Sequence, residues 1–144
     1  METGLGGKVV LVTGGAGGIG QAICRKFAED GAKVAVHFHT SSEEAESLAA
    51  EIGGIAVHAD LRVPSQADKM VAEIVSQMGG IDVCVANSGS YPPDPRPMWE
   101  IDEERWNSTI MSNLGVSANT SRSFLSHAST RGSGSLVLVG STAG

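Results

Sequence analysis

A glycine-rich segment near the start of the chain has the residue types that bind the phosphates of a dinucleotide. The apolar run Val9–Val12 leads into Thr13-Gly14-Gly15-Ala16-Gly17-Gly18-Ile19-Gly20, after which apolar residues recur at helical spacing. Glycines allow positive φ and a close approach of the backbone to a ligand, and the first turn of a helix points free N–H groups at an anion. A strand, a turn and a helix in this order therefore predict a dinucleotide site.

Two glycine patterns are compatible with this segment. One is Gly15-x-Gly17-x-x-Gly20, the general dinucleotide fingerprint, and the other is Thr13-Gly14-x-x-x-Gly18-x-Gly20, with a threonine at the end of the strand. A phosphate-binding loop of the NTPase type is not indicated, because Gln21 and Ala22 stand where a lysine and a serine or threonine would hold phosphate and metal.

Composition limits the chain to one domain and disfavours polyanionic partners. Its 144 residues, of which 41% are hydrophobic, suffice for one ordinary core. Acidic residues outnumber basic ones by 16 to 10, which gives a net charge of −6. Since the sequence also has no basic run, it argues against nucleic acid and against an anionic membrane surface as partners.

Cysteine spacing and the N-terminal segment favour a cytoplasmic protein with reduced thiols. Cys24 and Cys84 are far apart and form no C-x-x-C motif, and residues 1–8 lack the apolar core of a signal peptide. No uninterrupted apolar run reaches the roughly 18 residues of a membrane span. His37 and His39 lie two residues apart, but no cysteine or third histidine is near, so no metal site is expected.

Strand patterns alternate with helix patterns along the whole chain. The predicted strands are Val9–Val12, Lys33–Phe38, Ile55–His58, Ile81–Ala86 and Ser135–Val139. The predicted helices start near Gly18, at the capping box Ser41-x-x-Glu44, at Pro64 and at the N-cap Asp102, and the first three end near Gly31, Ile52 and Met78. A proline-rich loop, residues 91–97, precedes the last helix.

This alternation predicts an α/β fold with a doubly wound parallel sheet. Right-handed crossovers leave the strand order 3-2-1-4-5, with helices on both faces, as the simplest Rossmann topology for residues 1–144. Strand 5 would then be an uncovered edge, which parallel sheets normally avoid. We therefore expect a single, incomplete domain that is truncated after strand 5.

Five short motifs resemble those of the short-chain dehydrogenase/reductase family. They are Thr13-Gly14-x-x-x-Gly18-x-Gly20 after strand 1, Asp60-Leu61 after strand 3, Ala86-Asn87-Ser88-Gly89 after strand 4, Asn113 in the last helix, and Ser141 after strand 5. The third motif differs from the family's Asn-Asn-Ala-Gly at two of its four positions. The resemblance extends over nearly the whole chain and favours the second glycine pattern.

The resemblance implies a set of cofactor contacts at the carboxyl ends of the strands. The implied cofactor-binding residues are Thr13, Gly14, Gly18, Ile19, Gly20, His39, Thr40, Asp60, Leu61, Asn87 and Gly89. NAD-preferring sites carry an acidic residue at the end of strand 2 for the ribose hydroxyls, and this chain has none there. The histidine and hydroxyl groups of residues 37–42 suit a 2′-phosphate better, although no arginine lies among them, so NADP is preferred over NAD.

The resemblance also implies hydride transfer between a nicotinamide and the carbonyl or alcohol carbon of a small molecule, with a Tyr-x-x-x-Lys pair as proton donor. Ser141 and Asn113 would be supporting catalytic residues. The one tyrosine, Tyr91, is followed four residues later by Pro95, and the family places its pair downstream of Ser141. The chain as given is therefore predicted to be inactive, whereas the complete form would be a homodimer or homotetramer.

Two other functions remain open at this point. One is a non-catalytic module that binds a dinucleotide or a partner, which would need the glycine turn but no catalytic acid. The other is a methyltransferase-like Rossmann domain, which is less favoured because that class also needs an acid after strand 2.

Overall fold

Five short strands form one parallel sheet in the order β3-β2-β1-β4-β5, as the sequence predicts. The computed structural model describes residues 2–141. The strands are β1, Val9–Val12; β2, Lys33–Phe38; β3, Ile55–His58; β4, Val83–Ala86; and β5, Ser135–Leu138. Leu11 of β1 pairs with Ala35 of β2 on one side and with Cys84 of β4 on the other, so β1 lies at the centre of the sheet.

Five α-helices connect the strands. They are α1, Gly18–Glu29; α2, Ser42–Ile52; α3, Pro64–Met78; α4, Glu103–Ile110; and α5, Val116–Arg131. A π-helical turn, Met111–Gly115, joins α4 directly to α5, and a short 3-10 helix, Met98–Glu100, precedes α4. Within residues 2–141, no helix combines the length and the apolar character that crossing a membrane requires.

The side chains of β1 divide the core into two layers, one on each face of the sheet. Val9 and Leu11 belong to a buried cluster with residues of α3 and α5, whereas Val10 and Val12 belong to a second cluster with residues of α1 and α2. A strand buried on both faces carries apolar residues at every position, as this one does. The predicted doubly wound fold is thereby confirmed.

Two helix ends show where the local predictions succeed and fail. The Asp102 carboxylate accepts the N–H of Arg105 at 2.8 Å, which confirms Asp102 as the N-cap of α4. The capping box at Ser41 is wrong, because the Ser41 side chain forms no capping bond. Ser41 has ψ 62°, whereas Asp102 has the extended ψ of 170° that aims a capping side chain at the helix N–H groups.

The predicted start of strand 4 is two residues too early. β4 begins at Val83, although Asp82 already exchanges backbone bonds with Val9 and Ser135. The N–H of Ile81 donates to Nε2 of His127 at 3.1 Å. Strand 5 ends at Leu138, although the Val139 N–H still donates to the Ala86 carbonyl. The strands therefore reach the carboxyl edge of the sheet as predicted, which is the edge that matters for a ligand.

Replacement of Leu48 tests the layer between β2 and α2. Leu48 is 2% exposed and Leu125 is 51% exposed, and both are in helices. We expect Leu48→Ala to lower the free energy of unfolding by about 2 to 5 kcal/mol through lost burial and an unfilled cavity. Leu125→Ala, the matched control, should change it by less than about 0.5 kcal/mol. Equal losses in urea titrations of the two variants would contradict this packing.

Candidate functional site

A cleft of about 620 Å³ lies at the carboxyl edge of the sheet. It forms there because β1 has β2 on one side and β4 on the other, so successive crossovers lead to opposite faces and leave a crevice between them. Its walls come from the turn after β1, the segments that follow β2, β3 and β4, and the start of α5. The lining includes Gly14, Gly18, Ile19, Gly20, His39, Thr40, Asp60, Leu61, Asn87 and Gly89.

The glycine turn combines tight packing on one side with open space on the other. Gly14 has φ +62°, and a Cβ on Gly20 would clash with the Gly14 carbonyl, so α1 starts in direct contact with the turn. In contrast, a Cβ on Gly18 would have no atom within 4 Å. The first intrahelical bond of α1 runs from the Gln21 N–H to the Gly17 carbonyl. The N–H groups of residues 18–20 therefore have no intrahelical acceptor and are available to an anion.

Thr13 supports this turn from behind and does not line the cleft. Its side chain is buried, and its Oγ1 accepts the N–H groups of Asn87 at 2.9 Å and Ser88 at 3.0 Å. In the other direction, Nδ2 of the Asn87 side chain donates to the Thr13 carbonyl at 3.1 Å. The ends of β1 and β4 are thus fastened together directly beneath the cleft.

His37 holds the same turn from the other side, a role that the sequence did not predict. The ring is 2% exposed; Nδ1 accepts the Gly14 N–H at 3.0 Å, and Nε2 lies 2.9 Å from the Ala59 carbonyl, which requires the Nε2–H tautomer. Burial lowers the pKa of His37 to about 4, against the opposing effect of the bond to Ala59. A neutral imidazole therefore bridges the ends of β1, β2 and β3.

An ion-pair cluster lies at the end of the cleft formed by β2 and β3. Arg62 donates from Nε and Nη2 to the two carboxylate oxygens of Asp60, at 2.9 and 2.7 Å. These bonds hold the pKa of Asp60 at about 2, below its ordinary value, in spite of desolvation. The Nε2 of His39 is 3.7 Å from the same carboxylate. Arg62 was not among the predicted site residues, because its place beside His39 depends on the pairing of β2 with β3.

Leu61 has a different environment from Asp60, its neighbour in the predicted pair. Its side chain is 3% exposed and packs with the core cluster on the α3 and α5 face, although the residue also lines the cleft. Its carbonyl accepts a bond from Nδ2 of Asn119 at 2.9 Å. The segment after β3 is therefore anchored to α5.

Asn113 holds the segment that follows β4. It lies in the π-helical turn, where its Oδ1 accepts the Ser90 N–H at 3.1 Å and its Nδ2 donates to the Ser90 carbonyl at 2.9 Å. A Cβ on Gly89 would approach the Asn113 Oδ1 to 2.8 Å, so glycine is required for this contact. Asn113 thus positions one wall of the cleft through backbone atoms.

Ser141 is exposed and follows β5, and it is not among the residues from 2 to 141 that line the cleft. The structure therefore assembles the predicted cofactor residues around one cleft, with Thr13 behind it and Asn113 at its wall, and leaves the catalytic role of Ser141 a prediction. Among the same described residues, no three His, Cys, Asp or Glu side chains are grouped as metal ligands would be.

A second cleft, of about 420 Å³, adjoins the first through Ser90 and Ser112. The loop after β4 and helix α4 form its walls. Asp94 of this loop is bound by Arg96 at 2.7 Å and lies 3.6 Å from Arg105, which also donates to the Asp94 carbonyl. The proline-rich loop is thereby bonded to α4 beside the first cleft.

Removal of the Thr13 hydroxyl tests the link between β1 and β4. Thr13→Val keeps the shape of the side chain but leaves two N–H groups without their acceptor, each at a cost of about 1 to 3 kcal/mol in the free energy of unfolding. Thr13→Ser retains the hydroxyl and should restore most of that stability. The measurement is urea unfolding; a Thr13→Val variant as stable as the wild type would contradict the role of this hydroxyl.

The neutral state of His37 predicts how stability depends on pH. Because its pKa is about 4 in the folded chain and about 6.5 when unfolded, the unfolded chain binds more protons between these values, and stability rises with pH there. The contribution is complete above about pH 6.5 and is lost as pH falls towards 4, by about 3 kcal/mol in total. Urea unfolding from pH 4 to 7 measures it. The slope should be smaller in His37→Gln than in the wild type; an equal slope in the two proteins would contradict the assignment.

The sequence of the chain is similar to those of known dehydrogenases. A sequence model of the short chain dehydrogenases matches residues 8–144. The chain is 34% identical to an NADP-dependent mannitol dehydrogenase of Alternaria alternata and 35% identical to a 2,3-dihydro-2,3-dihydroxybenzoate dehydrogenase of Bacillus subtilis, in each case over 97% of its own length. These alignments cover 55% and 54% of the two relatives, so the chain spans about half the length of the curated relatives it matches.

Solved structures show the same likeness in three dimensions. A short-chain dehydrogenase/reductase mutant of Serratia marcescens aligns with a TM-score of 0.85 at 29% identity, over 96% of this chain and 57% of the other. A short chain dehydrogenase of Burkholderia cenocepacia in complex with NADP aligns with the same TM-score at 30% identity, over 96% and 57%. From the motifs, the sheet order and these matches, the chain belongs to the short-chain dehydrogenase/reductase family.

Proposed function

We propose that this chain forms the dinucleotide-binding part of an NADP-dependent oxidoreductase that interconverts a carbonyl and an alcohol in a small molecule. The observation that carries the proposal is the glycine turn, which is held from behind by Thr13 and His37 and is open at Gly18 towards the cleft. A turn of this form fits a pyrophosphate, because backbone N–H groups point at the ligand and no side chain occupies its place.

The residues around the cleft fit the parts of NADP in order along the sheet. The N–H groups of residues 18–20 would hold the pyrophosphate, Asp60 and Leu61 would lie towards the adenine, and Asn87 and Gly89 would lie on the nicotinamide side. When bound, the nicotinamide supplies the hydride chemistry of the reaction. The chain itself supplies the cleft and the fixed backbone that orients the cofactor.

NADP is favoured over NAD by the end of β2 and by two relatives. His39, Thr40 and Ser41 line the cleft where an NAD site would carry an acidic residue. One relative is named as NADP-dependent, and one similar structure holds NADP. A 2′-phosphate would find hydrogen-bond donors at this position and no carboxylate from β2 to repel it.

The catalytic step would need a group that this sequence does not contain. Asn113 and Ser141 match supporting positions of the family, but no tyrosine in the sequence is followed four residues later by a lysine. A phenol of ordinary pKa is a weak proton donor and acceptor without a nearby cation, so Tyr91 does not replace that pair. We therefore expect these 144 residues to bind the cofactor without catalysing hydride transfer.

The same observation supports a second candidate, a non-catalytic module that binds a dinucleotide. The two proposals differ in what the reading frame encodes after Gly144. A Tyr-x-x-x-Lys motif there would favour the oxidoreductase, whereas a stop codon would favour the module. Sequencing of the transcript separates them.

An apolar surface on α4, the π-helical turn and α5 supports the proposal that the complete form is a homodimer or homotetramer. Its exposed side chains are Trp106, Ile110, Met111, Leu114 and Leu125. Exposed apolar patches of this kind commonly mark protein contacts.

The proposal also includes a cytoplasmic location and a small-molecule substrate. We expect neither nucleic acid nor a membrane as a partner.

Calorimetric titration of the chain with NADPH and NADH tests the proposed site. We expect saturable binding that is lost in Gly18→Val, because a branched side chain there would fill the space that the pyrophosphate needs. Gly6→Val is the matched control, since a Cβ on Gly6 also has no atom within 4 Å but lies outside the cleft. Both variants should unfold within about 1 kcal/mol of the wild type.

Three results would be informative. Binding lost only in Gly18→Val would support the site, and binding that survives in Gly18→Val would place the ligand elsewhere. Absence of binding by a folded, monodisperse wild type would contradict both proposed functions.

A further inference from the structure

The end of the cleft formed by β2 and β3 contains an arginine whose function is not explained by folding. Arg62 lies two residues after Asp60 and is half-exposed, with 48% of its side chain accessible. It belongs to no helix or strand. Exposed ion pairs contribute little to stability, so the pair with Asp60 does not by itself account for Arg62.

The charges around the cleft make Arg62 distinctive. Among the described residues that line it, Arg62 is the one side chain with a permanent positive charge, and Asp60 is the one carboxylate. His37 also lines the cleft but is buried and neutral, since its pKa is about 4. A phosphate dianion entering this end of the cleft would therefore meet one fixed cation and one fixed anion.

The geometry of the pair leaves part of the guanidinium free for a ligand. Asp60 takes one N–H from Nε and one from Nη2, and within residues 2–141 the Nη1 of Arg62 has no acceptor. Three of the five N–H groups of an arginine therefore remain. His39 adds a ring nitrogen 3.7 Å from the same carboxylate, and Thr40 and Ser41 add hydroxyls on the adjoining wall.

We infer that Arg62, held by Asp60, is a specificity-determining residue that binds the 2′-phosphate of NADP together with His39 and the hydroxyls after β2. The inference rests on the proposed function, because it assigns a role within the same nucleotide site. Arginine suits this role, since its planar fork forms paired hydrogen bonds with phosphate oxygens. Asp60 orients the guanidinium, and Arg62 in turn neutralises a carboxylate that would otherwise repel the phosphate.

The two segments next to the proposed phosphate position contain no other fixed cation. Neither the glycine turn, residues 14–20, nor residues 37–42 at the end of β2 include a lysine or an arginine. The cation comes instead from the segment that follows β3, and the pairing of Phe38 with His58 brings the ends of β2 and β3 together.

The test compares NADPH and NADH binding in Arg62→Ala and Arg25→Ala. Arg25 is the matched control because it forms the same paired contact with Glu51, at 2.7 and 2.9 Å, and does not line the cleft. We expect Arg62→Ala to raise the Kd for NADPH by about tenfold or more and the Kd for NADH by less than about twofold. Arg25→Ala should leave both values within about twofold of the wild type.

Arg62→Gln provides a second variant that removes the charge but keeps a polar side chain of similar length, so the test does not depend on the folding of one protein. It should show the same selective loss of NADPH affinity. NADPH binding that neither Arg62 variant weakens would overturn the assignment and leave the proposed function standing. Failure of the folded wild type to bind either dinucleotide would instead contradict the proposed function.

Discussion

The end of β1 must be held firmly while its backbone stays accessible to a ligand, and the rest of the structure satisfies this requirement. Two neighbouring strands hold it from below. The Thr13 hydroxyl accepts two hydrogen bonds from backbone N–H groups of the segment after β4. The ring of His37, in β2, accepts one from the Gly14 N–H. Because these bonds approach from the sheet side, the opposite side of the turn stays free of side chains, as the open space at Gly18 shows.

The strand order determines which segments can cooperate with this turn. With β1 in the centre, the ends of β2 and β4 are its immediate neighbours, and β3 adds its end through β2. His37 links the end of β2 directly to the end of β3, because its Nε2–H donates to the Ala59 carbonyl just after β3. A buried imidazole can bridge two backbone groups only in one neutral tautomer, so burial fixes both its proton and its geometry. The glycine turn is therefore joined by hydrogen bonds to the ends of both β2 and β3.

The sequence predicts the framework of this protein better than its connections. Apolar runs and glycines locate the strands and helix ends closely; Gly53 and Gly79, for example, end α2 and α3 in the left-handed conformation. The role of His37 depends on its bond to Ala59, and the cluster at Arg62 includes His39 through the Asp60 carboxylate. These partners are distant along the chain and meet only through strand pairing. The predicted capping box at Ser41 was wrong for a related reason. The preceding loop sets the backbone of Ser41 at ψ 62°, and its side chain forms no capping bond to the helix N–H groups.

A chain with a net charge of −6 can still bind a phosphate-rich cofactor, because the charge that matters is local. The glycine turn offers uncharged N–H groups and the end of a helix dipole, and neither alters the net charge. At the other end of the cleft, the Asp60–Arg62 pair has a net charge of zero. Its two charges are fixed in place, and the two groups differ in the number of hydrogen bonds that each can still form. A carboxylate whose oxygens are both engaged repels less than a free one, while the guanidinium keeps unused donors. Thus an ion pair of little value for stability can still direct which phosphate pattern the cleft accepts.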